Sequence, residues 1–125
     1  MIVDYFTGIR DTIHSFDHVI EDFRFTEKIF SKEKGFISGR LVFLDNSILE
    51  FGEVRNTNLP GKIKYRYHYM SSSGQLFFRY DNAKHHPDIE SFPHHKHTPI
   101  SVIPSNEPDI LSVLREIEEI ILKEN

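Results

Sequence analysis

The spacing of apolar residues changes twice along this chain, and those changes restrict its fold more than any other feature. From Asp4 to about Ile20, Tyr5, Ile9, Ile13, Phe16 and Ile20 recur at intervals of three and four, which predicts a helix with one apolar stripe, weakened by Gly8. From Phe23 to Tyr80 the interval becomes two. Phe23 and Phe25, then Ile37, Leu41 and Phe43, then Ile48, Leu49, Phe51 and Val54, then Tyr65, Tyr67 and Tyr69, then Leu76, Phe78 and Tyr80 predict five strands. Their links, Lys32 to Gly35, Asp45 to Ser47, Asn56 to Gly61 and Ser71 to Gly74, are turn-forming and too short for a crossover helix, so the sheet is expected to be antiparallel. Beyond Tyr80, Pro87, Pro93, Pro99 and Pro104 predict an ordered but irregular loop. Ser105 or Asn106 then caps a last helix, with Pro108 in its first turn and Ile110, Val113, Leu114, Ile117, Ile120 and Ile121 as its stripe. Glu116, Glu118 and Glu119 are left to face water or a partner. The expected class is α+β, an antiparallel β-meander of about five strands with an N-terminal and a C-terminal helix, in a single domain spanning residues 1–125.

At 125 residues such a chain buries roughly two-thirds of its unfolded surface and folds without staples. It has no cysteine, which removes disulfides, thiolate zinc sites and cysteine nucleophiles together. The amino terminus lacks an apolar signal core, and no run reaches the roughly 18 apolar residues of a membrane span. A soluble, cytoplasmic protein without membrane contact is expected.

The net charge of -4 argues against a generally basic nucleic-acid binder, yet it is unevenly distributed. Residues 1–60 hold seven Lys/Arg and ten Asp/Glu, residues 61–97 six and three, and residues 98–125 two and six, or -3, +3 and -4. The one basic segment also carries six of the eight histidines, five of them between His85 and His97. It gains further positive charge as pH falls through the ordinary imidazole pKa of about 6.5.

If Ser71 to Gly74 is a four-residue loop pairing Met70 with Gln75, Arg66 lies opposite Arg79. One face of the hairpin then carries Lys64, Arg66, His68, Phe77 and Arg79, and the other carries Tyr65, Tyr67, Tyr69, Leu76, Phe78 and Tyr80 as the core side. Directly opposed like charges are unfavourable, but two guanidiniums can share an anion, and phosphate matches their planar fork. Water and scattered carboxylates are the alternative partners for both arginines. Phe77 is the candidate to stack an unpaired base, and Asn82 is a candidate substrate contact that equally suits a backbone-bonding turn residue.

The histidines admit three readings. His95 and His97, with His85, His86 or His94 and with Asp81, Asp88 or Glu90, could fill a zinc site, although HHPDI and HHKH match no helical zinc motif. Alternatively, one imidazole takes the proton of a ribose 2′-hydroxyl and another group acts as acid or phosphate stabiliser, which cuts RNA with no metal or cofactor. Histidine roles in that reading fall to His68, His85, His86 and His95, with Lys64, Arg66 and Arg79 on the phosphates. Third, several rings simply donate hydrogen bonds that hold an irregular loop. No G-x-S-x-G elbow or Walker-type glycine loop is present.

The blocks YRYHY (Tyr65 to Tyr69), GQLFFRYDNAKHHP (Gly74 to Pro87) and FPHHKH (Phe92 to His97) resemble the TumE-like family of small prokaryotic proteins, toxin halves of toxin–antitoxin pairs. The likeness is dense over the middle third of the chain and weaker in the first helix and strands. Lys84 stands where the family pattern leads one to expect proline. The resemblance implies a growth-inhibiting toxin, RNA-cleaving in kind, neutralised by a helix-turn-helix antitoxin. A non-catalytic RNA- or protein-binding module and a zinc-dependent hydrolase remain the alternatives. A homo-oligomer is compatible with the sequence.

Overall fold

A computed structural model describes residues 1–123. The chain runs α1 (Ile2–His14), β1 (Ile20–Ile29), β2 (Lys34–Phe43), β3 (Ile48–Asn56), β4 (Lys64–Met70), β5 (Leu76–Asp81), β6 (His95–His97), β7 (Val102–Pro104) and α2 (Ile110–Lys123). The strands form one antiparallel sheet in chain order, β1 to β7. The α+β class and the flanking helices are as expected, but the sheet has seven strands rather than five.

Both extra strands lie in the segment expected to be irregular. HKH and VIP are too short to show an apolar period, and β6 exists because β5 offers it a free edge, with Arg79, Tyr80 and Asp81 opposite His97, Lys96 and His95. Pro104 is tolerated because β7 is the last strand, with no further neighbour to receive an N–H.

Helix α1 is shorter than expected and ends at His14, after which Phe16 and Val19 stay buried in a turn and Ile20 opens β1. Its buried face is Ile2, Phe6, Ile9 and Ile13, so Tyr5 sits at the margin of the stripe. The cap of α2 is Asp109, whose Oδ1 accepts from Ser112 N at 2.8 Å, rather than Ser105 or Asn106, and Pro108 lies outside the helix. Burial of Ile110, Val113, Leu114, Ile117 and Ile121 follows the predicted stripe. Glu116 does not simply face water. It accepts from Tyr80 Oη at 2.6 Å and Lys96 Nζ at 2.7 Å, tying α2 to β5 and β6, and Glu118 pairs with His18.

The core lies between the helices and one face of the sheet. Tyr65, Tyr67 and Tyr69 are buried there, and their hydroxyls find partners in His94, Glu53 and Ser47. Glu53 is the one carboxylate deep in this layer among the described residues, 1% exposed; Tyr5 and Tyr67 each donate to it, and burial with that carboxylate pushes both phenols up.

Two glycines separate space from flexibility. A Cβ on Gly35 would lie 2.7 Å from Lys28 O and 2.9 Å from Ile2 and Phe6 side-chain atoms, where α1 approaches the sheet. Gly8, inside α1, would meet nothing within 4 Å. Gly35→Ala is expected to destabilise by about 1–3 kcal/mol through overpacking, and Gly8→Ala to stabilise by roughly 0.5–1 kcal/mol. Denaturant midpoints shifting the same way for both would refute this assignment.

Candidate functional site

Alternation in each strand decides which residues share the face turned away from the core, and strand register joins them into rows. One row is Arg24, Arg40, Glu50, His68, Arg79 and His97, from β1 to β6. Beside it runs Thr26, Ser38, Gly52, Arg66, Asp81 and His95, and on its far side Lys28, Phe36, Val54 and Lys64. The outer face thus gathers cations from both the acidic segment 1–60 and the basic segment 61–97.

The register differs from the expected one. Met70 pairs with Leu76, Tyr69 with Phe78, His68 with Arg79 and Arg66 with Asp81, with an irregularity between Tyr69 and Met70. Arg66 therefore faces a carboxylate, and Arg79 faces an imidazole. A slip of two residues preserves side-chain parity, so Lys64, Arg66, His68 and Arg79 still share one face. Phe77 is the exception: it is the unpaired residue at the irregularity, and its ring packs 5.0 Å from that of Tyr69 against the core, not on the basic face.

At the β5–β6 end these rows close into a cluster. Asp81, buried at the end of β5, accepts from Arg79 Nε at 2.9 Å and Ala83 N at 3.0 Å, and lies 2.8 Å from His95 Nε2. The other nitrogen of His95, Nδ1, lies 3.0 Å from Pro93 O, so each ring nitrogen faces an acceptor. His97 Nε2 is 3.0 Å from Arg79 Nη2. An arginine only donates, so Nε2 accepts and the network assigns His97 the neutral Nδ1–H tautomer. The His86 ring stands edge-on to those of His95 and His97, at 5.0 and 5.7 Å between centroids.

Arg79 has a second imidazole across from it, His68 on β4. Burial first, then the adjacent Arg66 and Arg79, hold His68 below the ordinary imidazole pKa against the opposing pull of Glu50. Burial first, then Arg79, His95 and His86, lower His97 likewise, with Asp81 pulling the other way. The result is a guanidinium flanked in one row by two imidazoles that both favour their neutral form. His68 Nδ1 is buried and has no hydrogen-bond partner among the described residues.

His86, His95 and His97 also place one potential metal-ligating atom each within 4.8 Å of one another. As donors for a cation they are compromised, since both nitrogens of His95 are engaged and Arg79 occupies the Nε2 lone pair of His97. A cationic guanidinium in the cluster further opposes a dication.

Of the residues expected from sequence, the fold brings His86, His95 and Arg79 together and sets His68 and Arg66 beside them. Lys64 lies farther along the same face. His85 is exposed on the loop, and Asn82 serves the backbone, accepting from Tyr65 N at 3.1 Å and donating to Ile63 O at 3.2 Å. Asp81 and His97, central to the cluster, enter the sequence reading only through the zinc alternative, His97 paired with His95 and Asp81 as one of three possible carboxylates. The signal was present in D81/R79 and H95/H97, two pairs at spacing two, but it speaks only once β6 is known to be a strand.

Residues 9–121 match the family model described as Toxin TumE. The chain belongs to that family. No curated protein and no solved structure matches it. The matched span covers all seven strands and every cluster residue of this toxin. Among the described residues, no helix is long and apolar enough to cross a membrane.

Proposed function

We propose that this toxin is a metal-independent endoribonuclease that holds a scissile phosphodiester on Arg79 between His68 and His97. What supports the reading is the row His68–Arg79–His97, a phosphate-matching fork with a neutral imidazole on each side. One imidazole takes the proton of the ribose 2′-hydroxyl, whose oxygen attacks the neighbouring phosphorus. The bond from phosphorus to the 5′ oxygen breaks, and the other imidazole, protonated, delivers a proton to that oxygen; His97 enters either role once Arg79 Nη2 turns from its Nε2 to the phosphate. The products are a 2′,3′-cyclic phosphate and a free 5′-hydroxyl. The incoming phosphodiester supplies negative charge that favours the protonated form of the imidazole acting as acid.

Arg79 stabilises charge gathering on the equatorial oxygens, and Asp81 fixes its Nε. His95 is a positioning residue, buried behind Asp81, and His86 packs on His97 and orients it. Growth inhibition follows from loss of cellular RNA in the cytoplasm, and family membership supports a helix-turn-helix antitoxin as the neutralising partner.

Incubation of purified protein with total RNA, with and without chelator, tests the reading. Chelator-resistant cleavage leaving cyclic phosphate ends is expected. Because both flanking imidazoles titrate below about 6.5 in the free protein, kcat/KM should follow a bell centred on the acid side of that value, the base failing as pH falls and the acid as pH rises. Cleavage abolished by chelator would favour a metal at the histidine cluster, and saturable binding without products would favour a sequestering module.

A further inference from the structure

The outer face of β1 to β4 contains a trough of about 890 Å³ that the hairpin chemistry leaves unused. Its floor is the row of small side chains Thr26, Ser38 and Gly52, which leads directly to Arg66 and Asp81. One wall is Arg24 and Arg40 with Glu50; the other is Phe36, Val54 and Lys64. The walls lie four residues apart along each strand, about 13 Å between their backbones. A phosphate-binding wall therefore opposes an aromatic and aliphatic one, across a floor kept low by a glycine.

Resting on the RNA-cleavage reading, we propose that this trough is a single-strand channel that holds the RNA flanking the scissile phosphate, with phosphates on Arg24 and Arg40 and an unpaired base on Phe36. Three carboxylates oppose the charge of Arg24, Arg40, Lys64 and Arg66: Glu53 is buried and taken by Tyr5 and Tyr67, Asp81 lies opposite Arg66 and is held by Arg79 and His95, and Glu50 meets Arg40 at a long 3.6 Å, about two-fifths exposed on both sides. A phosphate chain displaces it at little cost. Phe36 selects against duplex, because paired and stacked bases cannot lay a free face on a ring. From β1 to β4 the channel spans three strand spacings, about 14 Å, which at roughly 3.4 Å per stacked nucleotide holds about four.

Binding is measured by fluorescence anisotropy with a 2′-O-methyl oligoribonucleotide, which lacks the nucleophile and so separates binding from cleavage. Affinity should rise with length to about five nucleotides and then level off, and the same sequence in a duplex should bind at least tenfold more weakly. The double variant Arg24→Ala/Arg40→Ala should lose tenfold or more and reduce the salt slope by about 0.7 per phosphate contact removed. Phe36→Ala should lose about tenfold with its salt slope intact. Gly52→Val, whose Cβ meets nothing closer than 3.9 Å, should fold and still bind more weakly by filling the floor. Wild-type affinity in all three variants, or duplex bound as tightly as single strand, overturns the channel. If single-strand binding follows this pattern while natural RNA is never cut, the channel stands and the cleavage reading falls. If RNA is cut and the variants bind and cut normally, the channel alone falls.

Discussion

Arg79→Ala is expected to reduce kcat/KM for RNA cleavage by about 10²–10³-fold, the usual cost of removing a transition-state donor. Its guanidinium bridges Asp81 at 2.9 Å and His97 at 3.0 Å and lies opposite His68, so one truncation removes the phosphate fork and its link to the flanking imidazole. Arg79→Lys keeps the charge but not the planar fork, and should recover only part of the loss. Measured single-turnover rates near wild type for Arg79→Ala, in protein with unchanged circular dichroism, would remove Arg79 from the reaction. The same variants scored for growth arrest connect the chemistry to toxicity: arrest should disappear with cleavage.

The largest expected stability loss comes from Asp81→Ala. Asp81 is 5% exposed and serves His95, Arg79 and the backbone N of Ala83 together. Removing it leaves His95, 2% exposed, facing an empty site with a donor it cannot place. Breaking one side of a buried pair costs about 3–5 kcal/mol, more than the pair itself contributes. A Tm lower by on the order of 10–20 °C follows, and denaturant unfolding should show the lost stability as a lower midpoint at constant m. Asp81→Asn retains one acceptor oxygen and should lose less. A change below about 1 kcal/mol in the alanine variant would mean that His95 is held by Pro93 O alone.

What was legible in the sequence is what local periodicity encodes. The α2 stripe, the tyrosine face of YRYHY and the shared side of Lys64, Arg66, His68 and Arg79 all follow from spacings of three, four and two, which fix direction wherever one face must be buried. Charge splitting pointed to residues 61–97, and the cluster lies there. It did not reveal Arg24 and Arg40, which sit in the acidic segment 1–60 and reach the same face only because the sheet lays β1 and β2 beside β3 and β4.

Register and pairing were decided elsewhere. An irregularity at Met70 exchanged the expected Arg66–Arg79 opposition for Arg66–Asp81 and His68–Arg79, and sent Phe77 to the core, because the turn from Ser71 to Gln75 closes on Gln75 O rather than on a regular ladder. Strand β6 has no local signature, since three residues carry no period. It forms because β5 presents unpaired backbone groups, and that pairing alone brings His95 and His97 to Asp81 and Arg79. Residue type and pleat are local properties, so the residues able to do chemistry, and the side of the strand taken by all of them but Phe77, can be read along the chain. Which of them meet depends on long-range strand pairing, which sums many weak contacts that no short window of sequence contains.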